Sequence, residues 1–93
     1  MIFGNKIKAL RKAKGLLLRQ VAAKLDIDTA TISKIEKGSR NATKAQVNRL
    51  ALILEEDINE LTALWLADKI YKLIKNEPMA MEAVNKVIVE LKK

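Results

Sequence analysis

The chain has 93 residues, carries 18 Lys/Arg against 11 Asp/Glu for a net charge of +7, and contains neither cysteine nor histidine. That composition excludes a disulfide scaffold, the common zinc and iron sites, and nucleophilic catalysis by Cys or His. No apolar run approaches the roughly 20 residues of a membrane span, and polar and basic residues follow Met1-Ile2-Phe3 at once, so a soluble cytoplasmic chain without a signal peptide is expected.

The charge is unevenly spread. Residues 1–49 hold 12 Lys/Arg against 3 acids, a balance of +9; residues 50–93 hold 6 against 8, a balance of −2. The N-terminal half is the half a polyanion would meet.

A first helix is predicted from about Gly4 to Lys14. Ile7 and Leu10, with Ala13 or Phe3, face inward; Lys6, Lys8, Lys12 and Lys14 face outward, and Gly15 ends the helix as a left-handed residue. Leu18, Val21, Ala22 and Leu25 recur at helical spacing and mark a second, short helix over 18–25. Asp26-Ile27-Asp28 has turn chemistry: Asp26 tolerates a left-handed backbone, and Asp28 can accept the free N–H groups of a third helix from about Thr29 to Lys37. Ile32 and Ile35 are that helix's inward stripe. Two short helices joined so tightly must cross steeply; Ala22 and Ala23 permit close approach and Ile27 fills the corner. This is helix-turn-helix geometry, in which the second helix enters the major groove of DNA.

Gly38 to Ala42 reads as a loop, and Thr43-Lys44-Ala45-Gln46 as the capping box of a fourth helix that buries Val47, Leu50, Ala51 and Leu54. Glu55-Glu56-Asp57 breaks the pattern. From Asn59 to about Asn76 the sequence is helical but apolar around too wide an arc for one buried face. Pro78 is expected in the first turn of a last helix with Met81, Val84, Val87, Ile88 and Leu91 as its stripe. The surplus apolar surface can be covered by the last helix folding back or by a second subunit.

The segment LRQVAAKLDIDTATISKIEKGSRN resembles the helix-turn-helix of Xre/Cro/CI-type regulators, of the lambda-repressor-like fold. The likeness is carried jointly by Arg19-Gln20-Val21-Ala22, Leu25, Ile27, Ile32-Ser33, Ile35-Glu36 and Gly38. It extends over residues 5–61 as a DNA-binding domain and leaves 62–93 as a helical extension. The resemblance implies an all-α bundle of five helices plus that extension. It implies a structural ion pair between Arg11 and Glu36. It also implies base contacts from Thr29, Ala30, Ser33 and Lys34, and backbone contacts from Arg19, Thr31, Lys37, Arg40, Asn41 and Lys44. Lys34 suits guanine O6 and N7, Ser33 either base type, and the methyls of Thr29 and Ala30 a thymine methyl. With no Asn, Gln or Arg in that set, direct readout is modest and DNA shape would supplement it. One departure stands out: Leu17 occupies the position where the family puts a Ser or Thr N-cap.

One recognition helix reads only a few base pairs, so a homodimer on a pseudo-palindromic operator is expected, joined through Leu61, Leu64, Trp65, Ile70, Tyr71, Ile74, Val84 and Ile88. The implied function is sequence-specific transcriptional regulation, as a repressor or autoregulatory controller. Restriction–modification controllers, operon-repressing antitoxins and phage Cro-like repressors all have this shape. The implied partner is double-stranded DNA; no cofactor, metal, membrane or small-molecule ligand and no enzymatic activity are expected. The competing class is a protein-interaction module that has kept the fold, suited by Leu17 beside Leu18 and by the apolar extension.

Overall fold

The structure, a computed structural model, describes residues 1–93. It is all-α, with six helices: α1 (Ile2–Ala13), α2 (Leu18–Leu25), α3 (Thr29–Lys37), α4 (Lys44–Leu54), α5 (Ile58–Ile74) and α6 (Ala80–Leu91). The count exceeds the expected five-helix bundle by one, and the sixth is the extension.

The first four helices end by one device, a residue in the left-handed region just past the last turn: Gly15, Asp26, Gly38 and Glu55. At each, an N–H beyond the helix returns to a carbonyl of its last turn, as from Ile27 to Ala22 and from Ser39 to Lys34, both at 3.0 Å. The starts of α3 and α4 are capped by side chains. Asp28 accepts from the Thr31 N–H at 2.7 Å, and Thr43 and Gln46 exchange hydrogen bonds at 3.1 and 2.9 Å. Leu17 offers no such cap to α2. The only side-chain help there is Gln20 Oε1, which accepts the Leu17 N–H at 2.7 Å.

Thirteen buried apolar residues make a single core from α1 through the first turns of α5. Ile7, Val21, Ile32, Val47, Leu50 and Leu61 in it have no solvent exposure. The helix-turn-helix corner is closed from inside by Val21, Ala22 and Leu25 of α2 against Ile32 and Ile35 of α3, with Ile27 half-buried over the turn. Arg11, Glu36 and Asp68 are buried too, and every buried side-chain polar atom has a hydrogen-bond partner.

Two boundaries differ from the sequence expectation. The first helix starts at Ile2, not Gly4, because Asp68 of α5 accepts the N–H groups of Ile2 and Phe3, each at 2.9 Å. Its cap is 65 residues away in the chain, beyond the reach of any local signal. Pro78 lies in the turn before α6, one residue ahead of the N-cap Met79, rather than in the helix's first turn. Inside α1, Phe3 is buried and Ala13 exposed, which decides between the two.

The core ends near the middle of α5. Beyond it the helix runs outward, and α6 lies beside it without burying a single residue. The Cα radius of gyration is 14.8 Å and the extents are 42 × 26 × 21 Å, against about 12 Å for a compact domain of this length. Between the outer half of α5 and α6 runs a groove lined only by apolar side chains, among them Ile70, Leu73, Ile74, Val84, Val87 and Ile88. No helix is long and apolar enough to cross a membrane.

Candidate nucleic-acid interface

The face opposite the core stripe of α3 is built by helical geometry. At about 100° per residue, Thr29, Ala30, Ser33, Lys34 and Lys37 fall within one arc, while Ile32, Ile35 and Glu36 turn inward. Thr29, Ala30, Lys34 and Lys37 are exposed and Ser33 is half-buried. Thr31 is half-buried at the flank, its N–H given to Asp28. A hydroxyl, a methyl and two ammonium groups therefore stand out from a short rigid helix at the edge of the molecule.

That rigidity has a specific source. Arg11 of α1 meets Glu36 in the last turn of α3 two-pronged, Nε donating to Oε2 at 2.7 Å and Nη2 to Oε1 at 3.1 Å. Its Nη1 donates to the Leu16 carbonyl at 2.9 Å, so one guanidinium ties α1, the α1–α2 connection and α3 together. The hydrogen bond from Arg11 to Glu36 raises the arginine pKa further above its ordinary value. Above this pair, Lys8 and Lys12 of α1 line a cleft with Ser33 and Lys37 of α3. These two lysines were not among the expected contacts. Their i, i+4 spacing in α1 was the available signal, and only the helix crossing brings them beside the recognition surface.

The remaining expected backbone-contact residues surround α3. Arg19 is exposed in the first turn of α2, Arg40 and Asn41 are exposed in the loop after α3, and Lys44 opens α4. Two are engaged within the chain. Lys44 Nζ donates to Thr62 Oγ1 at 2.9 Å, and Asn41 Oδ1 accepts from Lys72 Nζ at 2.7 Å. Next to Asn41, the Ala42 carbonyl accepts Trp65 Nε1–H at 2.8 Å. Lys69 sits 3.8 Å from the centre of the Trp65 ring, within cation–π range. The Asp28 carboxyl is held below the ordinary carboxylate range, first by hydrogen bonds from Thr31 and further by Arg40 and Lys34.

The residues expected to join two copies divide into two groups. Leu61 is wholly inside the core of its own chain and offers nothing to a second copy, a correction to its expected role. Leu64 and Trp65 are half-buried against the same core. Ile70, Tyr71 and Ile88 are exposed, and Ile74 and Val84 half-exposed, beyond the core. Asp68, Trp65 and Lys72 play parts here that an apolar reading of this stretch missed. Their partners lie 23 to 66 residues away in the chain, so no local signal marks them.

The tightly turned α2–α3 pair, the capped α3 and the cationic rim define a helix-turn-helix protein of the Xre/Cro/CI type. The chain belongs to the helix-turn-helix family HTH_3, whose family model matches residues 7–61. It is similar to RghRB of Bacillus subtilis (strain 168), an uncharacterized HTH-type transcriptional regulator, at 40% identity over 62 residues. That match takes in 66% of this chain but 45% of the relative, so the chain spans less than half of that protein's length. It is also similar to control protein C.MunI of Mycoplasma sp, at 38% identity over 60 residues covering 63% of this chain and 81% of that protein. No solved structure matches the chain.

Proposed function

We propose that the protein is a transcriptional regulator that binds a pseudo-palindromic operator as a homodimer, one recognition helix per half-site. In this reading α3 lies in the major groove, with Thr29, Ala30, Ser33 and Lys34 toward base edges. Arg19, Thr31, Lys37, Arg40, Asn41 and Lys44 grip the sugar-phosphate backbone and fix the register. The observation that carries it is the exposed arc of α3, where small side chains and two lysines stand clear of the protein. The Asp28 carboxylate at the start of α3 is committed to the cap.

Residues 5–61 form the DNA-binding unit, and residues 62–93 join two copies. The apolar groove between α5 and α6 supports that division: Ile70 and Ile88 are exposed across it in one chain and Ile74 and Val84 half-exposed, while Tyr71 is exposed outside it. The relatives named as a transcriptional regulator and as a control protein support regulation, and the match over 81% of control protein C.MunI favours the controller type.

The test is selection of duplexes from a random pool, with affinity followed against salt and mass followed by light scattering. A dimer that enriches a two-fold-symmetric site, with the steep salt dependence of six to ten phosphate contacts, is the expected result. Binding without enrichment would reduce the role to a non-specific one. No binding at low salt would favour a protein-interaction module, with the apolar groove as its docking face.

A further inference from the structure

The face of α5 that starts in the core carries a second function as it leaves it. Leu61, Trp65, Asp68 and Lys72 follow one another at spacings of four, three and four, one stripe of a helix. Leu61 closes the core, Trp65 holds the Ala42 carbonyl, Asp68 caps α1, and Lys72 holds Asn41. Trp65, Asp68, Lys72, Asn41 and Arg40 converge around one small cavity of about 10 Å³ with Gly38 at its edge. The loop after α3 is therefore shaped from α5, a helix with no DNA contact of its own in the reading above.

Chemistry decides what the Lys72 contact does. An ammonium has only donors, so the atom it meets on Asn41 is the acceptor Oδ1, at 2.7 Å. With Oδ1 turned to the ammonium, the Nδ2–H donors lie on the other side of the amide. A phosphate has only acceptors. We infer that Lys72 is a positioning residue: it turns the Asn41 amide so that its donors face the DNA backbone, while Trp65 fixes the adjoining peptide at Ala42. The inference rests on the reading of Asn41 as a backbone contact. In this inference Lys72 makes no phosphate contact of its own; its ammonium acts through the Asn41 amide.

This is tested by a double-mutant cycle on the full chain, with Lys72→Met, Asn41→Ala, the double variant and Lys72→Arg, titrated on operator and on random duplex at several salt concentrations. Lys72→Met and Asn41→Ala should each weaken binding several-fold on both DNAs. The double variant should be no weaker than Asn41→Ala alone, since an amide that is absent cannot be misoriented. Lys72→Arg, which still donates to Oδ1, should bind like the unaltered protein. The salt slope should not change with Lys72→Met, because no counterion release is lost with a neutral amide contact. A fall in slope by about 0.9, the value of one ionic contact, or losses that multiply in the double variant, would make Lys72 a direct phosphate ligand and overturn the inference. Should Asn41→Ala bind normally while Arg40→Ala binds weakly, the role of Asn41, and with it that of Lys72, is wrong although the loop still grips DNA. Thermal melting of each variant separates these outcomes from unfolding, since the Lys72–Asn41 bond is exposed and adds little to stability.

Discussion

Gly4 of α1 lies directly on the main chain of Glu36 in α3, so close that a β-carbon at position 4 would overlap the Glu36 carbonyl oxygen and crowd the carbonyl of Ile35. The N-terminal half of α1 and the last turn of the recognition helix thus touch backbone to backbone. Gly4→Ala brings a helix-propensity gain of about 1 kcal/mol, but the obstacle is main chain, which no rotamer change relieves. The two helices must part, at an overpacking cost of about 1–3 kcal/mol. We expect a lower melting temperature and weaker DNA binding together. Gly15→Ala, which meets nothing within 4 Å but sits at a φ of +69°, is the comparison. It should lose stability with little change in DNA affinity per folded molecule.

Arg11 and Glu36 are the second clamp between the same helices, and here the energetics are those of a buried pair. Removing one partner leaves the other charge enclosed, which costs about 3–5 kcal/mol. Arg11→Met and Glu36→Leu singly should each lower the denaturation midpoint sharply. The double variant should recover much of the loss, since a well-packed apolar pair of similar volume replaces it without desolvating ions. Midpoints in urea for the four proteins check this. A double variant as unstable as the sum of the singles would mean that the guanidinium's bond to the Leu16 carbonyl, and not the ion pair, is the important contact.

These contacts mark where reading along the chain succeeds and where it stops. The turn 26–28, the caps at Asp28 and Thr43, and the buried stripe Val47, Leu50, Ala51 and Leu54 are set by neighbours within four residues, so local chemistry reveals them. The placement of α3's outward arc follows from the same periodicity. Gly4, Asp68, Trp65 and Lys72 act across 23 to 66 residues of chain, and nothing near them in sequence announces a partner. Asp68 in particular reads as a polar interruption of an apolar helix, yet it caps α1. Leu61 was misassigned for the converse reason. An apolar stripe does not say whether its cover comes from the same chain or another.

Acid should loosen the recognition helix. The Asp28 carboxyl has a folded pKa lowered by its bonds from Thr31, and that of Glu55 is lowered by the bond from Lys14. Because the folded values lie below the unfolded ones, about 3.9 for Asp and 4.3 for Glu, the unfolded chain takes up protons first as pH falls. Their contribution to stability is thus complete at neutral pH and is lost as pH drops through the folded values. Melting temperatures between pH 7 and pH 3 should fall, and Asp28→Asn should flatten the acid limb while asparagine keeps the cap. An unchanged acid limb in that variant would assign the acid loss to other carboxylates.

Within the interface, specificity and grip should separate by residue. Lys34 projects from the recognition arc, whereas Arg40 extends from the loop behind it. Lys34→Ala should therefore cost about 1–3 kcal/mol on the selected operator and much less on sequences altered at the base it reads. Arg40→Ala should weaken binding to all duplexes by a similar factor and lower the salt slope by about 0.9. Competition titrations against operator variants give both numbers. Uniform loss from both substitutions would remove Lys34 from the base-reading set.

The outer half of α5 and α6 should fail in a way that the core does not. Leu61 has no exposure, while Ile70 is 52% and Ile88 41% exposed across an all-apolar groove. A lysine at 61 must bury its charge or open the core, so Leu61→Lys should unfold the chain. A lysine at 70 or 88 has solvent in the single chain and loses it only when a second copy covers the groove. Ile70→Lys and Ile88→Lys should therefore keep the helical circular-dichroism signal and lower the mass from a dimer to the 10.4 kDa chain. Operator binding should then weaken far more than half-site binding, because the two recognition helices no longer act from one body. If both variants stay dimeric at unchanged affinity, the two-fold contact lies off this groove, and the exposed Tyr71 beside Met1 and Ile2 becomes the next surface to charge.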